Sequence, residues 1–426
     1  MAAACLMSVN IFGMTAWADT TTESIATVEA APVVEAGPST AGPVVAETTA
    51  AVTETAAATT AAQQTVAETT SAGPSSSVGN SATTTVIGPG AGLGSGNSQA
   101  SSGDFLGQEV SGSVIQVTEN YTYDQMSADL NTLKSKYGNH MTVSTYGTSL
   151  DGRNLYEVVV GNANAPKHVL IQASIHAREH MTSLLVMKQI EYALAFYDTG
   201  STGGKTVADR FNQVAIHFLP MVNPDGVTLS QLGINGLKSL DLRNIVQSAY
   251  AQDTALGRTT ASFENYLRTW KANARGVDLN QNFPYEWENG SGTATSASFS
   301  GYGGPSAVSE PESQALKTIT ESRTWSETIS YHAMGGIIYW DIAANKVKAQ
   351  SQELAQAVSA VTGYTCYASP GKAGYKDWTQ AKDNPIPGIT VEIGKTTCPL
   401  PVEQFPTIWA QNKSVWVVAL DYAISH

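Results

Sequence analysis

The sequence is short of positive charge, of cysteine and of long apolar runs. It has no Lys or Arg before Lys134, and its 23 basic against 36 acidic residues give a formal net charge of −13. Because no basic cluster is present, we expect no nucleic-acid partner. No apolar run reaches the roughly 20 residues that a membrane-spanning helix needs, so we expect no transmembrane segment. Three cysteines exclude a disulfide-rich fold.

The start of the chain resembles the later part of an export signal. Residues 6–17 are mostly apolar, and Ala16-Trp-Ala18 fits a cleavage site, which predicts a signal peptide over residues 1–18. The basic segment that normally precedes the apolar run is missing, which leaves the true translation start open. Lipid attachment at Cys5 is disfavoured because the apolar run follows this cysteine. We therefore predict a secreted protein, extracellular or in the cell wall.

Residues 19–104 consist almost entirely of Ala, Thr, Ser, Val, Pro, Gly and Glu. Such a segment cannot bury enough apolar surface to offset the entropy lost on ordering, which predicts a disordered linker. It is either a plain spacer or a Thr-rich stalk through a cell wall. The folded domain is predicted over residues 105–426. Its two cysteines, Cys366 and Cys398, form either one disulfide or two separate buried thiols.

Helical and strand patterns alternate along this domain. Helices are predicted over Tyr123–Tyr137, after the strand that ends at Ile175 and through Tyr197, over Pro311–Thr320 and over Pro406–Ile424. Strands are predicted on either side of the Asp151-Gly152 turn within residues 142–160, and over Val169–Ile175, Val214–Leu219, Glu327–Tyr331 and Ile389–Ile393. Asn223-Pro-Asp-Gly226 predicts a turn. The alternation indicates an α/β fold with a largely parallel or mixed sheet.

Polar candidates lie near the ends of three predicted strands. His176-Ala-Arg-Glu179 directly follows one strand, His332 follows another, and Glu392 lies near the end of a third. In open α/β sheets, sites gather at the carboxyl ends of the strands, so these side chains are expected to meet. Imidazole and carboxylate groups are typical zinc ligands, and a catalytic zinc keeps about three of them plus a water.

These residues predict a hydrolytic zinc centre. Zinc held by His176, Glu179 and His332 lowers the pKa of a bound water towards about 7 and polarises a carbonyl group. Glu392 is the candidate base that accepts the proton of that water and passes it to the leaving amine. Asp278 is the candidate oxygen partner for the second nitrogen of a metal-bound histidine.

Simpler alternatives exist for each residue taken singly. His332 would be a core histidine, Glu392 half of a buried salt bridge, and Asp278 and Asn280 turn residues. A different metal site is also open, in which His176 and His180 bind zinc and Glu179 is the base. That site would require a position within a helix, and it would leave His332 and Glu392 without roles.

Five motifs together resemble the carboxypeptidase A-type zinc metallopeptidase family. They are, in order, His176-x-x-Glu179, Asn223-Pro-Asp-Gly226, Gly276-Val-Asp-Leu-Asn280, Tyr331-His332 and Thr390-Val-Glu392. The resemblance implies an α/β/α sandwich around a mixed, eight-stranded sheet. It also implies that His176, Glu179 and His332 bind zinc and that Glu392 is the base. By the same resemblance, Asp278 contacts a zinc ligand, Asn280 contacts the substrate carboxylate, and Arg178 contacts the next subsite.

The chain departs from the family's digestive members at three positions. Gln281 stands where those members carry an arginine that clamps the C-terminal carboxylate, and glutamine offers no charge and no guanidinium fork. Gln380, two residues after Trp378, is assigned by the resemblance to the place of a mobile tyrosine that contacts substrate. Lys271 aligns best with the arginine that stabilises the oxyanion.

These departures resemble a bacterial branch, the γ-D-glutamyl-diamino acid peptidases. The resemblance implies cleavage of the bond between γ-D-Glu and meso-diaminopimelate or Lys in peptidoglycan stem peptides. The partners expected are a peptide or muropeptide substrate and the cell wall, and a monomer is expected. The alternatives are a zinc carboxypeptidase acting on ordinary peptides and a pseudopeptidase that binds the wall without catalysis.

Overall fold

The computed structural model describes residues 104–289, 292–368 and 371–426. The predicted signal peptide, and the predicted linker up to Gly103, lie outside this part. No helix among the described residues is long and apolar enough to cross a bilayer. The first described residue, Asp104, accepts a hydrogen bond on its side chain from Leu106 N at 3.0 Å.

A mixed sheet of eight strands forms the centre of the domain. Its strands are β1 (Met141–Thr148), β2 (Asn154–Val160), β3 (Lys167–Ala173), β6 (Val214–Leu219), β7 (Glu327–Ala333), β8 (Ile337–Asp341), β9 (Thr365–Ala368) and β10 (Gly388–Ile393). A separate small hairpin pairs β4 (Ser201–Thr202) with β5 (Lys205–Thr206). The order across the sheet is β1-β2-β6-β3-β7-β10-β8-β9, and the four strands from β6 to β10 run parallel. Their carboxyl ends therefore share one edge.

Helices cover both faces of the sheet. They are α1 (Tyr123–Tyr137), α2 (Met181–Ala195), α3 (Val207–Gln213), α4 (Pro224–Leu232), α5 (Leu240–Ala255), α6 (Phe263–Arg268), α7 (Pro311–Glu321), α8 (Lys348–Thr362), α9 (Tyr375–Ala381), α10 (Phe405–Asn412) and α11 (Val415–Ser425). The predicted α/β sandwich around a mixed, eight-stranded sheet is confirmed.

Apolar side chains on the two faces of the sheet enter different cores because side chains alternate along a strand. In β3, Val169 and Ile171 belong to the large core that includes α2 and α11, whereas Leu170 belongs to a second core with Trp378 of α9. The continuous apolar sequence of β3 reflects this burial on both faces.

The structure corrects several sequence-based expectations about the elements. The Asn223 motif begins helix α4 instead of forming a turn, because Asn223 caps the helix and Pro224 occupies its first position. The C-terminal helix is interrupted at residues 413–414, which gives α10 and α11. Strand β7 extends to Ala333, so His332 lies within it.

Cys366 and Cys398 are both free thiols. Cys366 lies on β9, and its thiol donates to Ala355 O at 3.5 Å, whereas the thiol of Cys398 donates to Arg178 O at 3.4 Å. Of the two alternatives left open by the sequence, the structure therefore shows two separate thiols, both of them half-buried.

Candidate active site

The corner between β3 and α2 presents the first two candidate ligands. Ser174 follows the strand with a φ of 51°, and its hydroxyl lies 2.9 Å from Thr182 Oγ1 and 2.7 Å from Ser183 Oγ. These contacts satisfy the polar groups of a sharp turn that would otherwise be buried without partners. The turn directs His176 and the following single 3₁₀ turn, which contains Glu179, across the carboxyl end of the sheet.

His176, Glu179 and His332 converge on one point. One ligand atom from each lies within 4.8 Å of the other two. Glu179 bridges the two rings, with Oε1 at 2.8 Å from His176 Nδ1 and Oε2 at 3.0 Å from His332 Nδ1. The two Nδ1 atoms are themselves 3.1 Å apart. All three residues are buried.

This cluster has the chemistry of a zinc site. Two imidazole nitrogens that face each other need a cation or a shared proton between them, and two nitrogens with one carboxylate form a common catalytic zinc set. Burial opposes ionisation of Glu179, yet the two imidazoles hold the pKa of its carboxyl well below its usual range. The residues therefore fit a divalent cation, and the structure brings the predicted ligand set together.

Asp278 and Lys271 form a second layer behind His176. Asp278 Oδ1 lies 3.2 Å from His176 Nε2, and Oδ2 lies 3.2 Å from Lys271 Nζ. Burial disfavours the charged acid, but Lys271 and His176 hold the pKa of Asp278 well below its usual range. Burial also opposes the ammonium charge of Lys271, and the carboxylates of Asp278 and Glu179 outweigh it and raise its pKa. Asp278 stands where a partner orienting His176 is required.

Glu392 lies beside the cluster on the neighbouring strand. It pairs with His332 in the register of β10 with β7, so the two side chains lie on the same face of the sheet. Burial raises the pKa of the Glu392 carboxyl to about 7, although the nearby imidazole of His332 opposes this shift. A carboxylate with this pKa exchanges protons near neutral pH, which suits the predicted base.

The candidate substrate contacts surround the cluster. Arg178 Nε is buried, with no hydrogen-bond partner among the described residues, and NH1 contacts Thr269 O at 3.5 Å. Asn280 and Gln281 are half-buried in a short turn after Asp278. The Asn280 side-chain oxygen accepts a hydrogen bond from Tyr375 N at 2.9 Å, which leaves its amide group for other contacts. A guanidinium with an unpaired nitrogen next to the cluster supports the assignment of Arg178 as a substrate contact.

Comparison with known proteins identifies the family of the chain. A family model described as zinc carboxypeptidase matches residues 126–414. The chain belongs to the zinc carboxypeptidase family. It is a zinc metallopeptidase, as the motifs predicted, and its His176, Glu179 and His332 form the group that fits the metal.

Relatives of this chain include bacterial proteins. The chain is 31% identical over 317 residues to gamma-D-glutamyl-L-diamino acid endopeptidase 1 of Lysinibacillus sphaericus, covering 74% of this chain and 75% of the relative. It is 30% identical over 281 residues to YqgT of Bacillus subtilis (strain 168), covering 63% and 69%. The fold resembles that of bovine thrombin-activatable fibrinolysis inhibitor, with a TM-score of 0.55, 16% identity and coverage of 73% and 99%.

The structure corrects one sequence-based assignment and argues against the alternative metal site. Gln380 has no exposed surface, and its amide donates to Trp340 O at 2.8 Å and to Gly388 O at 2.7 Å. It therefore fastens α9 to the sheet and does not contact substrate. His180 is outside the cluster, and burial together with Arg268 lowers its pKa to about 4. The alternative site with His180 as a ligand has no geometric support.

Sequence reasoning missed a residue that holds the site together. The Asn223 side chain donates to Ile175 O at 3.2 Å and to Ala272 O at 3.1 Å. These two hydrogen bonds connect Ile175, directly before His176, to Ala272, directly after Lys271. An Asn-Pro pair directly after a strand is also an N-cap signal, and this interpretation would have placed Asn223 beside the site.

Proposed function

We propose that the chain is a secreted zinc peptidase that hydrolyses peptidoglycan stem peptides at the bond between γ-D-Glu and a diamino acid. The observation that carries this proposal is the identity of 31% over 317 residues with an enzyme named for that bond. The converging group of His176, Glu179 and His332, with Glu392 beside it, supplies what hydrolysis requires.

The residues of the site divide the chemistry between them. A bound zinc ion supplies Lewis-acid activation of water and of the scissile carbonyl group. Glu392 accepts the proton of the attacking water and returns it to the leaving amine. Lys271 places its ammonium group where it can stabilise negative charge on the carbonyl oxygen, while Asp278 fixes its position. Arg178, Asn280 and Gln281 orient the substrate.

A second candidate is a carboxypeptidase that removes terminal residues from ordinary peptides. The family description, zinc carboxypeptidase, favours it. Against it stands Gln281, because an uncharged side chain gives a terminal carboxylate a weaker anchor than a guanidinium fork does. A non-catalytic wall-binding role is disfavoured because the cluster and the base are both in place.

Purified muropeptides and a tryptic digest of a protein separate these functions. We expect the full zinc-loaded chain to release diamino-acid peptides from muropeptides, as identified by mass spectrometry, and to leave the digest intact. Removal of single C-terminal residues from the digest, with intact muropeptides, would favour the ordinary carboxypeptidase. No cleavage of either substrate, with zinc bound, would favour the wall-binding role.

Export is a separate part of the proposal and rests on the apolar residues 6–17 and the Ala16-Trp-Ala18 site. Expression in a bacterial host should place the protein in the medium or the cell-wall fraction, with a mature N-terminus at Asp19. N-terminal sequencing decides this, since retention of residues 1–18 on a cytosolic protein would contradict it.

A further inference from the structure

Arg178 and Lys271 are the two cations beside the metal cluster, and they differ in their partners. Lys271 Nζ lies 3.2 Å from Asp278 Oδ2. Arg178 forms no ion pair within the described part of the chain. Its Nε is buried without a hydrogen-bond partner there, and one of its terminal nitrogens contacts Thr269 O at 3.5 Å. A guanidinium that is partly desolvated and unpaired indicates a binding site for a group of opposite charge.

The backbone around Arg178 is held at two points. The N–H of Ala177 donates to Lys271 O at 3.1 Å, and the carbonyl oxygen of Arg178 accepts a hydrogen bond from the thiol of Cys398 at 3.4 Å. Cys398 lies in the loop that follows Glu392 and β10. The side chain of Arg178 therefore starts from a fixed point between the segment that carries Lys271 and the segment that carries the base.

The guanidinium of Arg178 lies near the reacting groups. Burial raises the pKa of the Glu392 carboxyl to about 7, and the charge of Arg178 is one of the influences that oppose this shift. Burial, and to a smaller extent the charge of Arg178, disfavours the ammonium form of Lys271. Because the charge of Arg178 acts on both the base and Lys271, a group bound to it lies close to the scissile bond.

A γ-linked glutamate differs from an α-linked residue in the group that it presents beside the scissile bond. In an α-linked peptide, the α-carbon next to the scissile carbonyl continues into a neutral amide. In γ-linked D-Glu, the scissile carbonyl ends the side chain, and the α-carbon, two methylene groups away, carries a free carboxylate. Guanidinium and carboxylate groups form paired, charge-assisted hydrogen bonds, so the γ-linked residue offers the partner that Arg178 lacks.

Resting on the proposed function, we propose that Arg178 binds the free α-carboxylate of the γ-linked D-Glu whose side-chain carbonyl is attacked. Arg178 then determines specificity on the acyl side of the bond. It favours γ-linked D-Glu over α-linked residues and over γ-linked D-isoglutamine, in which the same carboxylate is amidated. Amidation replaces one acceptor oxygen by an NH₂ donor, which faces the donors of the guanidinium.

The first test gives the unaltered, zinc-loaded chain two peptides that differ in this group alone. They are L-Ala-γ-D-Glu-meso-diaminopimelate and L-Ala-γ-D-isoglutaminyl-meso-diaminopimelate. We expect kcat/KM to fall at least about tenfold on amidation, because the guanidinium then lacks its partner. The fall should appear mainly as a rise in KM, since the carboxylate takes no part in bond breaking. Values within about threefold of one another, less than one charge-assisted hydrogen bond contributes, would overturn the role of Arg178.

The second test alters the protein. Arg178→Gln removes the charge, and it should bring the two kcat/KM values together by lowering that of the carboxylate peptide. Arg178→Lys keeps the charge without the fork and should retain part of the preference. Arg243→Gln on α5, where the guanidinium donates to Leu237 O at 2.8 Å, is the matched control and should keep the wild-type preference.

Zinc content is measured in each variant, because Arg178 adjoins Glu179, and one ion per chain is expected. An Arg178→Gln enzyme that holds zinc and retains the full preference would refute the inference.

Failure of this inference differs from failure of the proposed function. Equal cleavage of the two γ-linked peptides would keep the peptidoglycan substrate and reject the role of Arg178. A third peptide, the α-linked L-Ala-L-Glu-meso-diaminopimelate, completes the comparison and should be the poorest substrate. Its cleavage, with both γ-linked peptides left intact, would reject the proposed function and the inference together.

Discussion

His176 uses both ring nitrogens, and the two contacts have different consequences. Nδ1 faces Glu179 and His332, whereas Nε2 faces Asp278, which in turn contacts Lys271. An oxygen partner on the far nitrogen fixes the tautomer and the orientation of the ring. The position of Lys271 and the affinity of the metal centre therefore depend on the same buried carboxylate.

The first prediction concerns Asp278. Asp278→Asn keeps the size of the side chain but removes the charge that faces His176 and Lys271, so zinc affinity should fall about 10- to 100-fold. Competition with a chelator of known affinity measures the Kd. Asp241→Asn, at the start of α5 and away from the cluster, is the control. An unchanged Kd would show that Asp278 does not tune the metal site.

The second prediction concerns Glu392. Glu392→Gln preserves the shape of the side chain but cannot accept a proton, so kcat should fall about 10²- to 10⁴-fold. Zinc content, measured by mass spectrometry, should stay at one ion per chain because Glu392 is not part of the ligand cluster. Glu321→Gln removes an exposed carboxylate on α7 and should leave turnover unchanged. Wild-type turnover in Glu392→Gln would exclude this residue as the base.

At the scale of elements, the start of α4 joins two loops of the site. Asn223 caps this helix with its side-chain oxygen, and its amide group donates to Ile175 O and Ala272 O. Its backbone N–H also donates to Ser174 O at 3.1 Å. One residue thus fixes the helix, the corner that carries His176 and the segment that carries Lys271.

The third prediction separates the capping of α4 by Asn223 from its hydrogen bonds to the two carbonyl groups. Asn223→Ser keeps a capping oxygen but loses both bonds to carbonyl groups, and the unsatisfied carbonyls should cost about 1–3 kcal/mol in the free energy of unfolding. We expect a lower kcat as well, because the His176 and Lys271 segments are no longer tied together. Urea unfolding and steady-state kinetics measure both. Asn212→Ser in α3 serves as the control, and equal behaviour of the two variants would argue against the bridge.

The sequence predicts the central elements well because their apolar patterns are strong. Helix Tyr123–Tyr137 and strand Val214–Leu219 have the predicted boundaries. The sequence analysis did not identify strand β9, which is short and largely exposed and so shows little apolar pattern. It also missed helix α5, although Leu242, Ile245, Val246, Ala249 and Tyr250 recur there at helical spacing. The Asn223 motif was assigned to a turn because the same residue types start turns and cap helices.

The site is partly predictable for a related reason. The parallel strands β3 and β7 bring their carboxyl ends to one edge, so polar residues after those strands are expected to meet. Gln380 could not be placed in this way. It lies on a short helix after an irregular segment, and the sequence does not reveal which side of such a helix faces the sheet.

At the scale of the whole molecule, each face of the sheet buries an acidic side chain, but only one of these side chains lies at the site. Glu392 faces the site. Glu327, at the start of β7, points to the opposite face of the sheet, which α2 and α11 cover, because side chains alternate along a strand. Neither carboxylate oxygen of Glu327 has a hydrogen-bond partner among the described residues. Burial raises the pKa of Glu327 well above its usual value, against the opposing charge of Lys167.

The fourth prediction follows from the sign of that shift. The folded chain keeps the Glu327 proton at pH values where the unfolded chain has released it, so the free energy of unfolding decreases as the pH rises above about 4.5. The slope from this group is about 1.4 kcal/mol per pH unit until the pKa in the folded state is passed. Glu327→Gln imitates the protonated acid and lacks this slope.

Urea unfolding of the zinc-saturated chain between pH 5 and pH 8 checks the prediction. The variant and the wild type should have similar stability at the lower end, and the variant should become the more stable one as the pH rises. Glu321→Gln, in the exposed pair with Lys317, is the matched control. Parallel curves for wild type and Glu327→Gln would contradict the buried, protonated state of this residue.

The neighbouring positions of β3 and β7 make the metal centre a cross-link as well as a catalyst. His176 and His332 are separated by 156 residues in sequence, yet a single ion held by both would link the chain segments that follow β3 and that form β7. An ion that binds only the native chain adds about 2.7 kcal/mol at a free concentration of 100 times its Kd. Dialysis against a strong chelator should therefore lower the Tm, and restoring zinc should raise it again. A Tm that does not respond to the chelator would contradict a contribution of the ion to stability.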